Sequence, residues 1–355
     1  MIKIRTLIGR KLNHVNGILR RQIELDRYLH TREDVQLEYL YYDAPLNPID
    51  YISKRYVLYP FYSKHGMNDK NVVNHLTFQY LGDLGHFLNK NNTIITCHDI
   101  FTFLEKSNIR NPFFVRRYSR EGLKKCRYII AISEFTKQEL ISKLGVRGDK
   151  IVVIKNGMNQ EIFKPIKDTD PKSIEPLYPE SKKILHVGTE VDRKNVSTLL
   201  KAFYLVKKKD PNIKLIRIGR PSFKDTIQRL GLNKDVHYIT NISNERLNEI
   251  YNLCDILVFP STYEGWGAPG LEAASAGTPV ICSDIPIFRE VFQDFPKFFP
   301  ATNFQKLAAL ILEIINDESQ KANMIKRGME VTKQYSWKKS SISYLELARK
   351  VLNAN

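Results

Sequence analysis

The residues best placed to do chemistry lie in Pro260-Ser-Thr-Tyr-Glu-Gly-Trp-Gly-Ala-Pro-Gly-Leu-Glu272, where a glycine-rich turn separates Glu264 from Glu272 by seven residues. The apolar run Ile256 to Phe259 leads into it, and Leu271-Glu-Ala-Ala-Ser-Ala-Gly277 reads as the following helix, with Glu272 in its first turn. Strand, glycine loop and helix start make an anion site, because the first N–H groups of a helix lack intrahelical partners and sit at the positive end of its dipole. Each carboxylate can accept several hydroxyl hydrogen bonds. Phosphate-binding N–H groups beside such acceptors point to a nucleotide sugar as ligand. Glu272 alone would equally serve as an early-helix carboxylate favoured by the dipole. Glu264, just off the end of a buried strand, stands where open parallel sheets bind ligands.

Three other places carry candidate chemistry. Gly188-Thr-Glu-Val-Asp-Arg-Lys-Asn195 lies between a strand and a helix, where Arg193 and Lys194 can reach phosphates; as surface charge at a helix start they would do nothing of the kind. Thr96-Cys-His-Asp99 closes an apolar strand, and His98 reads either as a sugar contact or as a satisfied structural histidine. Cys97 and His98 are strand neighbours and point to opposite faces, which argues against a Cys-His nucleophilic dyad. Gly17 starts a helix after the first strand and offers a further place for an acceptor or a phosphate, on a weak signal. Asp168-Thr-Asp170 has the spacing of a carboxylate metal motif, but it lies among prolines with no strand before it and is set aside, leaving no metal expected.

The elements that must position these residues alternate. Apolar runs at Ile2–Ile8, Val35–Tyr42, Val72–Leu76, Thr93–Cys97 and Tyr128–Ile132 are interleaved with helical patterns near Gly17–Leu29, Pro112–Lys125 and Glu134–Lys143, the signature of a parallel sheet covered by helices. From Asn159 to Lys183 four prolines and many charges break the periodicity and mark a linker. A second α/β series begins at Lys183 and runs through the Glu264 loop, and the chain closes with helical segments at Phe304–Asn316, Glu318–Gln334 and Trp337–Leu352.

A chain of 355 residues has room for about two domains. No apolar run approaches a membrane span, and Met1-Ile-Lys-Ile-Arg leads into a polar segment, so a cytoplasmic protein is expected. Cys97, Cys126, Cys254 and Cys282 lack metal or redox spacing and read as reduced core thiols. The net charge of +17 implies an anionic partner. Part of the excess lies between Arg110 and Arg127, where seven basic residues stand against Glu121 alone and Phe113, Phe114 and Tyr118 interleave with them. Asn111-Pro112 reads as the cap and first-turn proline of a basic amphipathic helix, either a contact for an anionic membrane surface or lipid phosphate or a solvated face. No zinc spacing, helix-turn-helix or RNA-binding aromatic signature accompanies the charge, and no nucleic acid partner is expected.

In order along the chain, Gly17-Ile18…Arg20, His98-Asp99, Ala131-Ile-Ser-Glu-Phe-Thr-Lys137, Asn156-Gly157…Phe163-x-Pro165, Val187-Gly188…Arg193-Lys-Asn195, Glu264-Gly-Trp-Gly267…Leu271-Glu-Ala273, Gly277-Thr-Pro-Val280 and Glu290-Val291 closely resemble glycosyltransferase family 4, the group 1 glycosyltransferases. The resemblance is strongest from Val187 to Val291. It implies the α/β GT-B fold, two Rossmann-like domains facing across a cleft: an acceptor domain at 1–165, a linker at 166–183, a donor domain at 184–335 and a last helix at 336–355 crossing back to the first domain. It implies retaining transfer from a nucleotide diphosphate sugar, as co-substrate and without a cofactor or metal, to a glycan or lipid-linked acceptor. Catalysis would rest on His98, Glu264 and Lys194. By the family pattern Glu264 holds sugar hydroxyls, Glu272 the ribose, and Lys194 the phosphates, while Gly188 and the backbone of Gly265, Trp266, Gly267, Ala268, Pro269, Gly270 and Leu271 cradle the donor. Thr189 stands where the family commonly has arginine, and Arg193 is the candidate substitute. A GT-B epimerase or phosphorylase and a basic nucleic-acid-binding protein are the competing classes.

Overall fold

A computed structural model describes residues 1–8, 17–41, 69–105, 113–166, 180–221 and 223–354, with 17 and 18 described by backbone alone. They form two compact units, Met1–Gly157 with Ser336–Asn355, and Met158–Tyr335. Each unit is built on a six-stranded sheet in which every pairing is parallel.

In the first unit the strands are β1 (Ile2–Ile8), β2 (Val35–Tyr41), β3 (Val72–Leu76), β4 (Thr93–Cys97), β5 (Tyr128–Ala131) and β6 (Ile151–Val153), in the order β2-β1-β3-β4-β5-β6. The inner strands β3 and β4 are buried on both faces, as helices on both sides of a parallel sheet require, whereas edge strand β2 alternates between half-buried and exposed positions. Helices α1 (Gly17–Leu29), α2 (Phe101–Leu104), α3 (Phe113–Lys125) and α4 (Glu134–Leu144) connect them. The Ser133 hydroxyl accepts the Thr136 N–H at 3.0 Å and starts α4; Gly145, in the left-handed region at φ 67°, ends it. The Asn111-Pro112 cap expected for α3 lies outside the described residues, as does Asp168-Thr-Asp170.

Helix α3 packs against the short 3₁₀ segment Gln79–His86 at backbone contact distance. A β-carbon on Gly122 would run into the carbonyl oxygen of Gly82, and one on Gly82 into that of Ser119. Glycine is required here by space, since a backbone carbonyl held in a helix has nowhere to retreat.

The second unit comprises β7 (Lys182–Val187), β8 (Ile213–Ile218), β9 (Val236–Ile239), β10 (Ile256–Phe259), β11 (Val280–Ser283) and β12 (Lys297–Phe299) in the order β12-β11-β10-β7-β8-β9. Its helices are α5 (Val196–Lys209), α6 (Lys224–Arg229), α7 (Asn244–Leu253), α8 (Ala268–Ala276), α9 (Pro286–Phe292), α10 (Phe304–Ile315) and α11 (Glu318–Thr332). Strand order reverses between β7 and β10, so the loops leaving these two neighbours diverge and open a crevice at the carboxyl end of the sheet. The last helix, α12 (Trp337–Asn353), belongs to the first unit, where Tyr344, Leu345, Leu347, Ala348 and Val351 share a core with Ile2, Ile4, Leu25, Leu29 and Val73.

Three features differ from the sequence reading. The first unit ends at Gly157, not 165, because residues 158–166 are fastened to the second: the N–H groups of Lys164 and Ile166 donate to Asn248 Oδ1 (3.1 Å) and Asn252 Oδ1 (2.8 Å), and Ser275 Oγ donates to the Phe163 carbonyl (2.6 Å). β12 and α9 add a strand and a helix after Cys282. Helix α8 starts at Ala268, three residues before the apolar pattern shows it, and Glu272 therefore sits beyond the first turn.

Asp26 gives the first unit a pH dependence. Burial raises its carboxyl to about 7, against the hydrogen bonds of Gln22 and Tyr39 and the charge of Arg21, which pull it down. The folded value lies above the unfolded one, so the folded chain binds the extra proton between about pH 4 and pH 7, and stability falls as pH rises through that window. Asp26→Asn is expected to flatten urea-unfolding stability between pH 5 and 8; a variant that keeps the wild-type slope assigns the dependence to another group.

Candidate functional site

In the crevice of the second unit the loop after β7 supplies cations and the loop after β10 supplies an anion. Glu264, buried, accepts Lys194 Nζ at 2.5 Å, Arg193 Nη1 at 2.9 Å and Ser261 Oγ at 2.8 Å. Burial pushes its carboxyl up, but the charges of Lys194 and Arg193 and the hydrogen bonds of Lys194 and Ser261 outweigh that and hold it below the ordinary carboxylate range. It is thus an anion at neutral pH. The Lys194 ammonium also stands 5.3 Å from the centroid of the Phe259 ring, a cation–π distance.

Both loops are fixed by backbone bonds. Thr262 N–H donates to the Arg193 carbonyl at 2.8 Å, and Asn195 Nδ2 donates to the carbonyls of Pro260 (3.0 Å) and Ala301 (2.7 Å). Asn195 is left-handed at φ 53°, a conformation its short amide side chain tolerates. Gly188 N–H donates to the Ile218 carbonyl at 3.0 Å and starts the loop at the end of β7.

The glycine turn rests on aromatics. Gly267 is left-handed at φ 99° and lies against the rings of Phe288 and Phe292, which leave no room for a β-carbon. Phe259, Phe288 and Phe292 form one stack, with centroids 4.7 Å and 4.9 Å apart. Trp266 is buried edge-to-face on Tyr335 at 5.0 Å, and its indole N–H has no partner among the described residues. Of the backbone donors between Gly265 and Leu271, those of Gly270 and Leu271 turn to the Gly267 carbonyl (3.0 and 3.5 Å), and Pro269 has none. Ala268 opens α8 directly after that turn.

Glu272 is buried and accepts the Tyr251 hydroxyl at 3.0 Å, a partner on α7 that no local pattern announces. The expectation that a helix dipole acts on Glu272 from the first turn is corrected by the start of α8 at Ala268. The structure therefore gathers Arg193, Lys194, Ser261 and Glu264 into one ion cluster, with Ser261 an addition whose signal is its spacing three residues before Glu264.

Gly17 and His98 belong to the first unit. Gly17 opens α1, and the loop before it lies outside the described residues. His98, just past β4, is buried; its Nε2 lies 3.1 Å from the Thr77 carbonyl and its backbone N–H donates to Gln79 Oε1 at 3.2 Å. Burial, with the charge of Arg21, lowers its pKa to about 3, so the ring is neutral with Nε2 protonated toward the carbonyl. Cys97 is buried in the hydrophobic core of the first unit, and its thiol is raised well above the usual value by burial and by Asp99 and Glu139.

Against this geometry the comparisons with known proteins are specific. A family model described as Glycosyl transferases group 1 matches residues 167–331, and one described as Glycosyltransferase Family 4 matches residues 71–162, together well over half of the chain. The chain belongs to the group 1 glycosyltransferases. Its relatives in the family include the O-antigen chain mannosyltransferase B of Escherichia coli, 27% identical over 69% of this chain and 66% of that protein. The chain thus spans less than two thirds of the length of the curated relatives it matches first, and for some about a third. Among solved structures, a sucrose-phosphate synthase from Thermosynechococcus elongatus matches with a TM-score of 0.79 at 17% identity, covering 100% of both chains. The Anabaena HepE protein in complex with UDP-glucose matches with a TM-score of 0.78 at 17% identity, again over 100% of both. The fold is GT-B.

Proposed function

We propose that the protein is a retaining, metal-independent glycosyltransferase that moves a hexose from a nucleotide diphosphate sugar to a glycan or lipid-linked acceptor. The observation that carries this reading is the cluster of Lys194 and Arg193 on Glu264 in the crevice between the loops of β7 and β10. Breaking the glycosidic bond places negative charge on the departing diphosphate and positive charge on the anomeric carbon. Two cations held by a rigid loop meet the first need without metal, because they stand in place before the charge develops. Glu264, ionised and already oriented by Ser261, is suited to accept hydroxyls of the donor sugar. Incoming phosphates compete with Glu264 for Lys194 and Arg193, so donor binding exchanges an internal anion for an external one. Glu272 takes the ribose in this reading; the role of His98 as a sugar contact rests on the family resemblance, and within the first unit its ring is neutral and lies against the Thr77 carbonyl. A relative that is a mannosyltransferase and a fold neighbour solved with UDP-glucose support a hexose donor of this class.

A screen of UDP-, GDP- and ADP-sugars by thermal shift tests the donor. A ligand at 100 times its Kd is expected to add about 2.7 kcal/mol of stability, and Glu272→Ala should shrink the shift given by that donor. A donor that stabilises wild type and variant equally removes Glu272 from ribose binding.

The acceptor side is read from α3. Phe113 and Phe114 are 61% and 65% exposed at its start, with Arg116 and Arg117 in the following turn and Lys125 at its other end, while Glu121 is occupied by Arg120 and Lys124. Exposed aromatics flanked by cations suit an anionic lipid surface. No helix among the described residues is long and apolar enough to cross a membrane. Co-sedimentation with anionic vesicles is expected to fall when Arg116, Arg117, Lys124 and Lys125 are neutralised together, and undiminished binding would refute the contact.

A further inference from the structure

The second unit carries a polar row, buried at His186 and Arg217 and half-buried at Tyr238, that the donor chemistry does not use. His186 on β7, Arg217 on β8 and Tyr238 on β9 are register partners across three adjacent strands and so share one face of the sheet. Arg217 is fully buried. Its Nη1 donates to a carboxylate oxygen of Glu190 and to the Tyr238 hydroxyl (2.9 Å), its Nη2 lies 3.4 Å from His186 Nδ1, and its guanidinium carbon sits 5.1 Å from the centroid of the Tyr238 ring. The Glu190 side chain is 5% exposed.

Glu190 is not on the sheet. It lies in the loop between β7 and α5, three residues before Arg193 and four before Lys194. The same loop is tied at its far end by Asn195, at Arg193 by Thr262 and at its start by the Gly188 N–H, so the Arg217 bond is the side-chain fastening between Gly188 and Arg193. His186 and the stem of Lys194 both flank Gly188, where an added β-carbon would lie 3.4 Å from the ring and 3.5 Å from the stem. Burial and the charges of Arg217 and Lys194 keep that ring neutral, which lets it sit between two cations.

A buried ion pair is weak evidence for stability, because well-packed apolar residues of similar volume often serve as well. Arg217 Nε, Glu190 Oε2 and His186 Nε2 have no partner among the described residues, so this pair is not even fully satisfied. Its location explains it better than stability does. We propose that Arg217 is a positioning residue, which through Glu190 fixes the loop from Gly188 to Asn195 so that Lys194 and Arg193 present their charges to the diphosphate of the donor. The inference rests on the donor reading above.

The test compares UDP, GDP and ADP with their monophosphates by calorimetry, on wild type, on R217M/E190Q and on R217K. The double variant removes both buried charges together and is expected to melt near the wild-type temperature. Its affinity for the preferred nucleoside diphosphate should fall about tenfold, equivalent to about 1.4 kcal/mol, with the monophosphate nearly unchanged, so that the preference for diphosphate collapses. R217K keeps the charge but not the fork that reaches Glu190, Tyr238 and His186 at once, and should lose part of that preference. A diphosphate preference unchanged in either variant overturns the inference alone. A wild-type chain that binds none of the three diphosphates contradicts the donor reading itself, and the inference with it.

Discussion

Lys194→Ala is expected to lower sugar transfer about 10² to 10³-fold, the loss that follows removal of one preorganised group from a charge developing in a transition state. The size follows from placement. The Lys194 side chain is 11% exposed, its stem lies against Gly188, and its ammonium is held between Glu264 and the Phe259 ring. A cation so enclosed is screened little by water and does not need to reorganise when the diphosphate departs. The fold should tolerate the change, because Glu264 retains Arg193 and Ser261 and is not left as an uncompensated buried charge. Arg193→Ala should do less harm to the rate, since its side chain is twice as exposed as that of Lys194 and part of its donor capacity is spent on the Tyr263 carbonyl. Initial rates at saturating donor, beside thermal melts of the same preparations, check both. A Lys194→Ala enzyme with wild-type turnover would remove Lys194 from the mechanism.

Gly122→Ala is expected to cost about 3 kcal/mol of stability, at the upper end for overpacking by one methyl group. Most overpacked cores relax by moving a side chain, whereas here the added carbon meets the carbonyl of Gly82 and the ring of His86. His86 is itself stacked on Tyr118 at 4.0 Å and bonded to the Tyr118 carbonyl at 2.9 Å, so it cannot swing away without losing both contacts. The 3₁₀ segment would have to separate from α3 along its length. The midpoint of urea unfolding reads the effect, and a midpoint equal to wild type would mean that the two backbones approach less closely than described.

The sequence conveys the sheets well because inner strands of parallel sheets are short apolar runs bounded by turns; β3, β4 and β10 carry the limits that their residue types announce. It conveys helix α8 poorly. Ala268-Pro269-Gly270 has the composition of a loop, yet proline fits a first helical turn and Gly270 is demanded by the ring of Phe292 packed against it. β12 is three residues, Lys-Phe-Phe, too few for a period to appear. In the site, Glu264 and Lys194 are each legible from their loops, but their contact spans 70 residues and depends on β7 and β10 being neighbours, which strand order alone decides. Arg217 shows the same limit more sharply. In Ile-Lys-Leu-Ile-Arg-Ile it looks like one polar residue of an edge-like strand, and only its alignment with His186 and Tyr238 and the return of Glu190 make it the centre of a polar row.

The central claim is that the loops of β7 and β10 hold a nucleotide diphosphate sugar whose hexose is passed to an acceptor. It is tested most directly by following nucleoside diphosphate release and acceptor glycosylation together, with the donor found by thermal shift and a panel of glycan and lipid-linked acceptors. The account predicts one nucleoside diphosphate released per sugar transferred, in the presence of a metal chelator, with both signals lost in Lys194→Ala. Interconversion of nucleotide sugars without nucleotide release, or a reaction abolished by the chelator, would contradict it.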